Sequence, residues 1–195
     1  MWSLEDGIEK RRPLVHASPV SAVSLTRDET SVVSGSSDGR IAVWDLATGQ
    51  LVRMWVGHAK PVSSIAMTAD GRRVVTCSWD GTIKVWDLAS GAEEAPFAGH
   101  AAEVYALAAP AAGTWIASGS KDDTLKVWDP ATSTCLVTYH ADAPIMSCAA
   151  SADGTTIAAG DGCGRVHALR WEAGTGGPSS PAAPPAPPVP RDTLR

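Results

Sequence analysis

GSKDDTLKVWD occupies residues 119–129, and the chain writes nearly the same letters twice before it, as GSSDGRIAVWD at 35–45 and CSWDGTIKVWD at 77–87. Successive copies start 42 residues apart. Trp44, Trp86 and Trp128 keep that spacing, and so do Asp38, Asp80 and Asp122. His16, His58 and His100 keep it as well, and His140 follows 40 residues later. Chance does not hold three residue types in one register over three copies. The chain is therefore a repeat, and repeats decide a fold before local propensity does.

Each copy reads as four short strands. In the second, VSSIAMT (62–68) is apolar with small residues, and Asp70-Gly71 turns the chain. RVVTCS (73–78) is β-branched, and Asp80-Gly81 turns it again. TIKVWD (82–87) alternates, with Ile83 and Val85 on one face and Thr82, Lys84 and Trp86 on the other. Ala89-Ser90-Gly91 makes a third turn before the polar AEEAPF (92–97). Glycine after aspartate supplies the positive φ of tight hairpin turns. One such unit cannot bury both faces, but stacking it on its neighbours does.

Composition narrows the function classes. The 195 residues are 44% hydrophobic, with eight Trp but one Phe and two Tyr. A net charge of −5 argues against broad phosphate-backbone binding, hence against a nucleic-acid partner. The sequence contains no 18-residue apolar run, so it predicts no membrane-spanning helix. MWSLEDGIEKRRP (1–13) has acids where a signal peptide has bases, which makes a cytoplasmic location the expectation. Cys77, Cys135, Cys148 and Cys163 form no CxxC pair and read as buried, reduced thiols.

A 42-residue unit with Gly-His early and Trp-Asp late resembles the WD40 β-propeller family. Gly57-His58 goes with Trp86-Asp87, and Gly99-His100 with Trp128-Asp129; His16 lacks the glycine but goes with Trp44-Asp45. The resemblance covers residues 1–172 and implies an all-β propeller of four four-stranded blades. Its units run from 16 to 57, 58 to 99, 100 to 139 and 140 to 172. The family resemblance also implies a buried polar network in each blade. The sets are His16, Ser34, Asp38 and Trp44; His58, Thr76, Asp80 and Trp86; and His100, Ser118, Asp122 and Trp128. Ser36, Ser78 and Ser120 lie two residues on, on the same strand face, and compete for the hydroxyl role. Such a chain of bonds pins four strands into one arrangement. Ser, His and Asp are also hydrolase residues, but a catalytic triad occurs once per active site and this set recurs in register. No cofactor, metal-ligand cluster or phosphate loop is written in the chain, so no enzyme activity is expected.

The fourth unit departs from the pattern. Aligning Gly164-Arg165-Val166 with Gly39-Arg40-Ile41 puts Ala159 at the hydroxyl, Cys163 at the Asp and Leu169 at the Trp. His140 is left without an evident partner. Residues 8–15 follow a stretch resembling the end of a third strand, and in closed rings of this family such a strand often completes the last blade. Three arrangements stay open: a closed four-bladed ring, two chains joined as an eight-bladed homodimer, or part of a longer array. Residues 173–195, proline-dense and without apolar periodicity, read as a disordered tail, with a proline-binding-domain ligand as the sharper alternative.

The expected function is a non-catalytic scaffold or adaptor that binds a protein or peptide ligand. The alternative is the regulatory or sensor portion of a larger signalling ATPase-type protein. The resemblance places Ser18, Lys60, Ala102 and Asp142 in loops of the contact face, with Ser37, Trp79 and Lys121 in its turns. Trp79 stands where the other copies carry Ser and Lys, and is the candidate hot spot.

Overall fold

The computed structural model describes residues 15–97, 99–112 and 114–171. Fifteen strands are present in this part of the chain, with no helix among the described residues. The first sheet holds β1 (Val20–Leu25), β2 (Ser31–Ser36), β3 (Arg40–Asp45) and β4 (Leu51–Val56) in sequence order. The second holds β5 (Val62–Met67), β6 (Arg73–Ser78), β7 (Ile83–Asp87) and β8 (Glu93–Phe97). The third holds β9 (Val104–Ala108), β10 (Ile116–Ser120), β11 (Thr124–Asp129) and β12 (Thr134–His140). The fourth holds β13 (Ile145–Ala150), β14 (Thr156–Asp161) and β15 (Val166–Arg170). All pairings are antiparallel. The four sheets are the four blades of a propeller.

Blades pack face to face, because each strand alternates its apolar side chains between two neighbours. Val33, Ile41 and Val43 of blade one meet Val62, Ile65, Met67 and Trp86 of blade two. Val75, Ile83 and Val85 of blade two meet Val104, Leu107 and Trp128 of blade three. Leu125 and Val127 of blade three meet Ile145, Ile157 and Leu169 of blade four. One contact recurs at the inner edge. A Cβ on Gly35 would stand 2.5 Å from Val62 Cγ1, and one on Gly119 would stand 2.4 Å from Ile145 Cγ2. The glycine is a slot and the first residue of the next inner strand is its knob.

Two sequence expectations change, and a third falls almost wholly outside the described residues. His140 does not open the fourth unit; it is the exposed last residue of β12, opposite Thr124. Of the segment 8–15 only Val15 is described; it is 70% exposed and belongs to no strand, and residues 8–14 lie outside the described residues, as does the tail. All four cysteines are free, but Cys135 and Cys163 are exposed rather than buried. Cys77 is buried and Cys148 is half-buried against the core between blades three and four, and burial pushes each thiol up to about 12.

Candidate functional site

The repeated letters build a relay across blades two and three. In blade two, the Trp86 indole donates to Thr76 Oγ1 at 2.9 Å. Thr76 Oγ1 lies 2.7 Å from His58 Nε2, and His58 Nδ1 lies 3.1 Å from Asp80 Oδ2. Blade three repeats it: Trp128 to Ser118 at 2.8 Å, Ser118 to His100 at 2.7 Å, His100 to Asp122 at 2.9 Å. A neutral imidazole satisfies every link: Nδ1–H donates to the carboxylate while Nε2 accepts from the hydroxyl. The competing hydroxyls do other work. Ser78 Oγ donates to the Lys60 carbonyl and accepts from the Asp80 amide; Ser120 holds the Glu103 carbonyl and the Asp122 amide.

A fifth residue completes the clamp, and the sequence pattern had assigned it only to a strand face. Thr82 Oγ1 donates to Asp80 Oδ1 at 2.6 Å, and Thr124 makes the same bond to Asp122. Holding Oδ1 leaves Oδ2 for the histidine and for the amide of the residue after it, Ala59 or Ala101. The signal was in the quoted letters, where D-G-T and D-D-T stand against D-G-R.

Blade one, which carries Arg40 at that position, does not close its clamp. His16 meets Ser34 at 2.6 Å and Trp44 meets Ser34 at 2.7 Å, but Asp38 does not reach the ring. Its carboxylate instead accepts from Ser36 Oγ and from the Arg40 amide. His16 Nδ1 is left buried without a hydrogen-bond partner. The four-residue expectation for this blade is thus corrected to three, because no hydroxyl at 40 steers the carboxylate.

Blade four substitutes a different network. Asp161 occupies the place of Ser36, Ser78 and Ser120, and Ile145 faces it as Val20 faces Ser36. Asp161 Oδ2 meets His167 Nε2 at 3.0 Å, and His167 Nδ1 meets the Tyr139 hydroxyl at 3.0 Å. Asp161 Oδ1 accepts the amides of Cys163 and Arg165. Tyr139 comes from the outer strand of blade three, so this set ties two blades together. Anchoring the fourth unit on the lost clamp positions hid it.

Burial lowers the His58 and His100 imidazoles from their ordinary value of 6.5, against the opposing pull of Asp80 and Asp122. Burial raises Asp122, but Thr124, the Ala101 amide and His100 outweigh it and leave the carboxyl at about 2. Both shifts have the same sign for stability. The unfolded chain takes up protons on histidine below pH 6.5 that the folded blades refuse, and on aspartate below the ordinary 3.8. The melting temperature should therefore hold above neutrality and fall as pH drops through 6.5 toward 5, and again below 4. A melting temperature that rises from pH 7 to pH 5 would mean that the rings are imidazolium in the fold.

The candidate contact face lies at the inner end of the same loops. Each inner strand carries one extra residue in a β-bulge: Ser21, Ser63, Tyr105 and Met146. All four line one cleft of about 520 Å³, with Ser37, Pro61 and Trp79. Trp79 is 48% exposed. Lys60 lies beside Trp79 in the adjoining surface hollow. Lys121 lies outside the cleft and pairs with Glu103 at 3.3 Å, and Asp142 pairs with Arg165 at 2.6 Å. Ser18 is half-buried and lies near the Asp38 carboxylate. The structure thus gathers Ser37 and Trp79, with Lys60 at the rim, and leaves Ser18, Lys121 and Asp142 in separate contacts. Tyr105 and Met146 were not singled out in the sequence, because a one-residue bulge leaves no mark in an alternating pattern. Among the described residues no group of three or more His, Cys, Asp or Glu could hold a metal ion.

The family model described as WD domain, G-beta repeat matches residues 10–45, 49–87, 91–129 and 133–167. No curated protein matches the chain. Among solved structures, one described as "Structure of U3-55K" superposes with a TM-score of 0.77 at 21% identity. It covers 80% of this chain, which spans only 50% of that one, and at this identity the likeness shows the fold alone. The repeat matches take in well over half of the sequence, the second to fourth each running from the outer strand of one blade into the inner strands of the next, and the chain belongs to the WD40 repeat family.

Proposed function

We propose that the chain is a non-catalytic interaction scaffold that takes a protein or peptide ligand at the bulge-lined cleft. WD40 domains generally bind protein partners. The observation that carries the finer reading is Trp79, 48% exposed beside Pro61, Tyr105 and Met146 in a cleft of about 520 Å³. An amphipathic ring that is half-desolvated before binding, set in a pocket with a polar rim, is the usual chemistry of a hot spot. The same reading makes the chain a cytoplasmic protein with no nucleic-acid or membrane partner and with a second copy of itself as a further partner. Four free cysteines support the location, and a net charge of −5 the reading without nucleic acid.

The test uses a random peptide library displayed against the full chain. Affinities of the selected peptides are then measured on wild type and Trp79→Ala. Loss of the ring should weaken binding roughly 30-fold, the scale of a hot spot worth about 2 kcal/mol. Selected peptides that bind Trp79→Ala as tightly as wild type, in a protein with unchanged circular dichroism, would place the ligand elsewhere.

A further inference from the structure

Positions that every internal junction buries are exposed at the two ends of the blade array. Val62, Val104 and Ile145, the knobs of blades two to four, are each fully buried. Val20, the same position in blade one, is 48% exposed. Ile65 and Leu107 are 9% and 8% exposed, whereas their counterpart Val23 is 66% exposed. Met67 is 5% exposed, and its counterpart Leu25 is 55% exposed. The opposite end shows the complement. Ile41, Ile83 and Leu125 are buried against the following blade, and Val166 at that position in blade four is 79% exposed. Ala168, the counterpart of buried Val43, Val85 and Val127, is exposed too.

The knob-and-slot contact shows the same mismatch. Gly35 receives Val62 and Gly119 receives Ile145. Cys77 stands in the slot of blade two and packs in one cluster with Val104. The slot of blade four is Gly160, and among the described residues the one atom within 4 Å of a Cβ built there is Ser147 Oγ of its own blade. Among the described residues there is thus one knob without a slot, Val20, and one slot without a knob, Gly160. Both belong to an interface that it forms three times internally.

We infer that the leading face of blade one docks on the trailing face of blade four of a second copy, with Val20 entering the Gly160 slot. The occupant is a second copy because the two faces are the separated halves of one junction, carried at the same register by the same chain. The contact is heterologous, since different patches meet, and such contacts either close into a ring or run on as an open chain. Two copies supply eight blades, within the size range of propellers, and closing both contacts removes both exposed faces. Ser21 and Ser63 donate to the Val62 and Val104 carbonyls across their junctions. Met146 stands at that position in blade four, so the new junction would be held by apolar packing without that bond.

Light scattering after size-exclusion chromatography on the full chain, over a dilution series, tests the pairing. Wild type should show twice the 20.2 kDa chain mass. Val23→Glu on one face and Gly160→Val in the slot should each return a 20.2 kDa monomer with unchanged circular dichroism. The added methyls of Gly160→Val meet only a movable hydroxyl, so this variant blocks docking with the blade intact. A wild-type monomer overturns the inference, and so does a dimer that both variants leave whole. A ladder of masses beyond the dimer overturns the closed pair. A monomer that still binds the selected peptides through Trp79 overturns the pairing alone and leaves the cleft reading standing.

Discussion

Trp128→Ala should cost about 4 kcal/mol, which for a protein of this size is roughly 10 °C of melting temperature. Trp128 is 1% exposed and sits where three groups converge. Its indole donates to Ser118, its ring lies 5.2 Å from Phe97 of the preceding blade, and its edge faces His100 at 6.0 Å. It also lies over Gly99, where a Cβ would stand 3.1 Å from its Cη2. The Gly-His pair that opens each full repeat is thereby explained: the glycine is flat so that the tryptophan of the same blade can lie on it. Truncation to alanine opens a cavity between blades two and three and strips the hydroxyl of its donor. Trp79→Ala, on the exposed face, should change stability by no more than about 0.5 kcal/mol. Thermal melts of the two variants in one buffer check both expectations, and comparable losses would mean that the buried ring is not the anchor.

Asp80→Ala comes next, at about 3 kcal/mol, the scale seen when one member of a buried hydrogen-bonded pair is removed. Its carboxylate accepts from His58, the Ala59 amide, the Thr82 amide and the Thr82 hydroxyl. The His58 side chain has no exposed surface, so its Nδ1–H cannot turn to water and keeps only the neutral Thr82 hydroxyl at 3.0 Å, itself stripped of the carboxylate that held it. The loop carrying Lys60 and the turn carrying Trp79 are both anchored by this one group. Loss of stability should therefore come with loss of peptide affinity at the cleft. Cys163→Ala, at the aligned position of the fourth blade, should move stability by less than about 0.5 kcal/mol. Its side chain is exposed, and only its amide takes part, in a bond to Asp161 that alanine keeps. Equal melting losses in Asp80→Ala and Cys163→Ala would contradict the clamp.

How much of this was legible beforehand depends on whether the physics repeats. In the second unit, strands read at 62–68, 73–78, 82–87 and 92–97 are found at Val62–Met67, Arg73–Ser78, Ile83–Asp87 and Glu93–Phe97. The alternating pattern and the Asp-Gly turns were enough, because stacked blades impose the same burial on every copy. The members of the relay recur in the same register, and the family resemblance supplied their roles. Features that occur once were not. Arg40 breaks the first clamp through a missing hydroxyl, two residues from the aspartate it affects. Asp161, His167 and Tyr139 come together from three strands of two blades, so no local spacing announces them. His140 fell nearly on the 42-residue register by coincidence and belongs to an outer strand. The cleft depends on four bulges, each of which re-aims one side chain without disturbing the apolar alternation around it.

The claim beneath all of this is that the repeated stretch is a clamp, and that a threonine after the turn decides whether it closes. Arg40→Thr tests it by building rather than breaking. The new hydroxyl should hold Asp38 Oδ1 as Thr82 holds Asp80, freeing Oδ2 for the buried Nδ1 of His16, which lacks a partner. Satisfying that group should stabilise the protein by about 1 kcal/mol. The measurement is the melting temperature of Arg40→Thr against wild type at pH 7.5, with Arg40→Ala as the control for loss of the guanidinium. A rise of roughly 2–4 °C in the threonine variant, absent in the alanine variant, is the expected result. An unchanged or lower melting temperature in Arg40→Thr would contradict the clamp as the reason these letters recur.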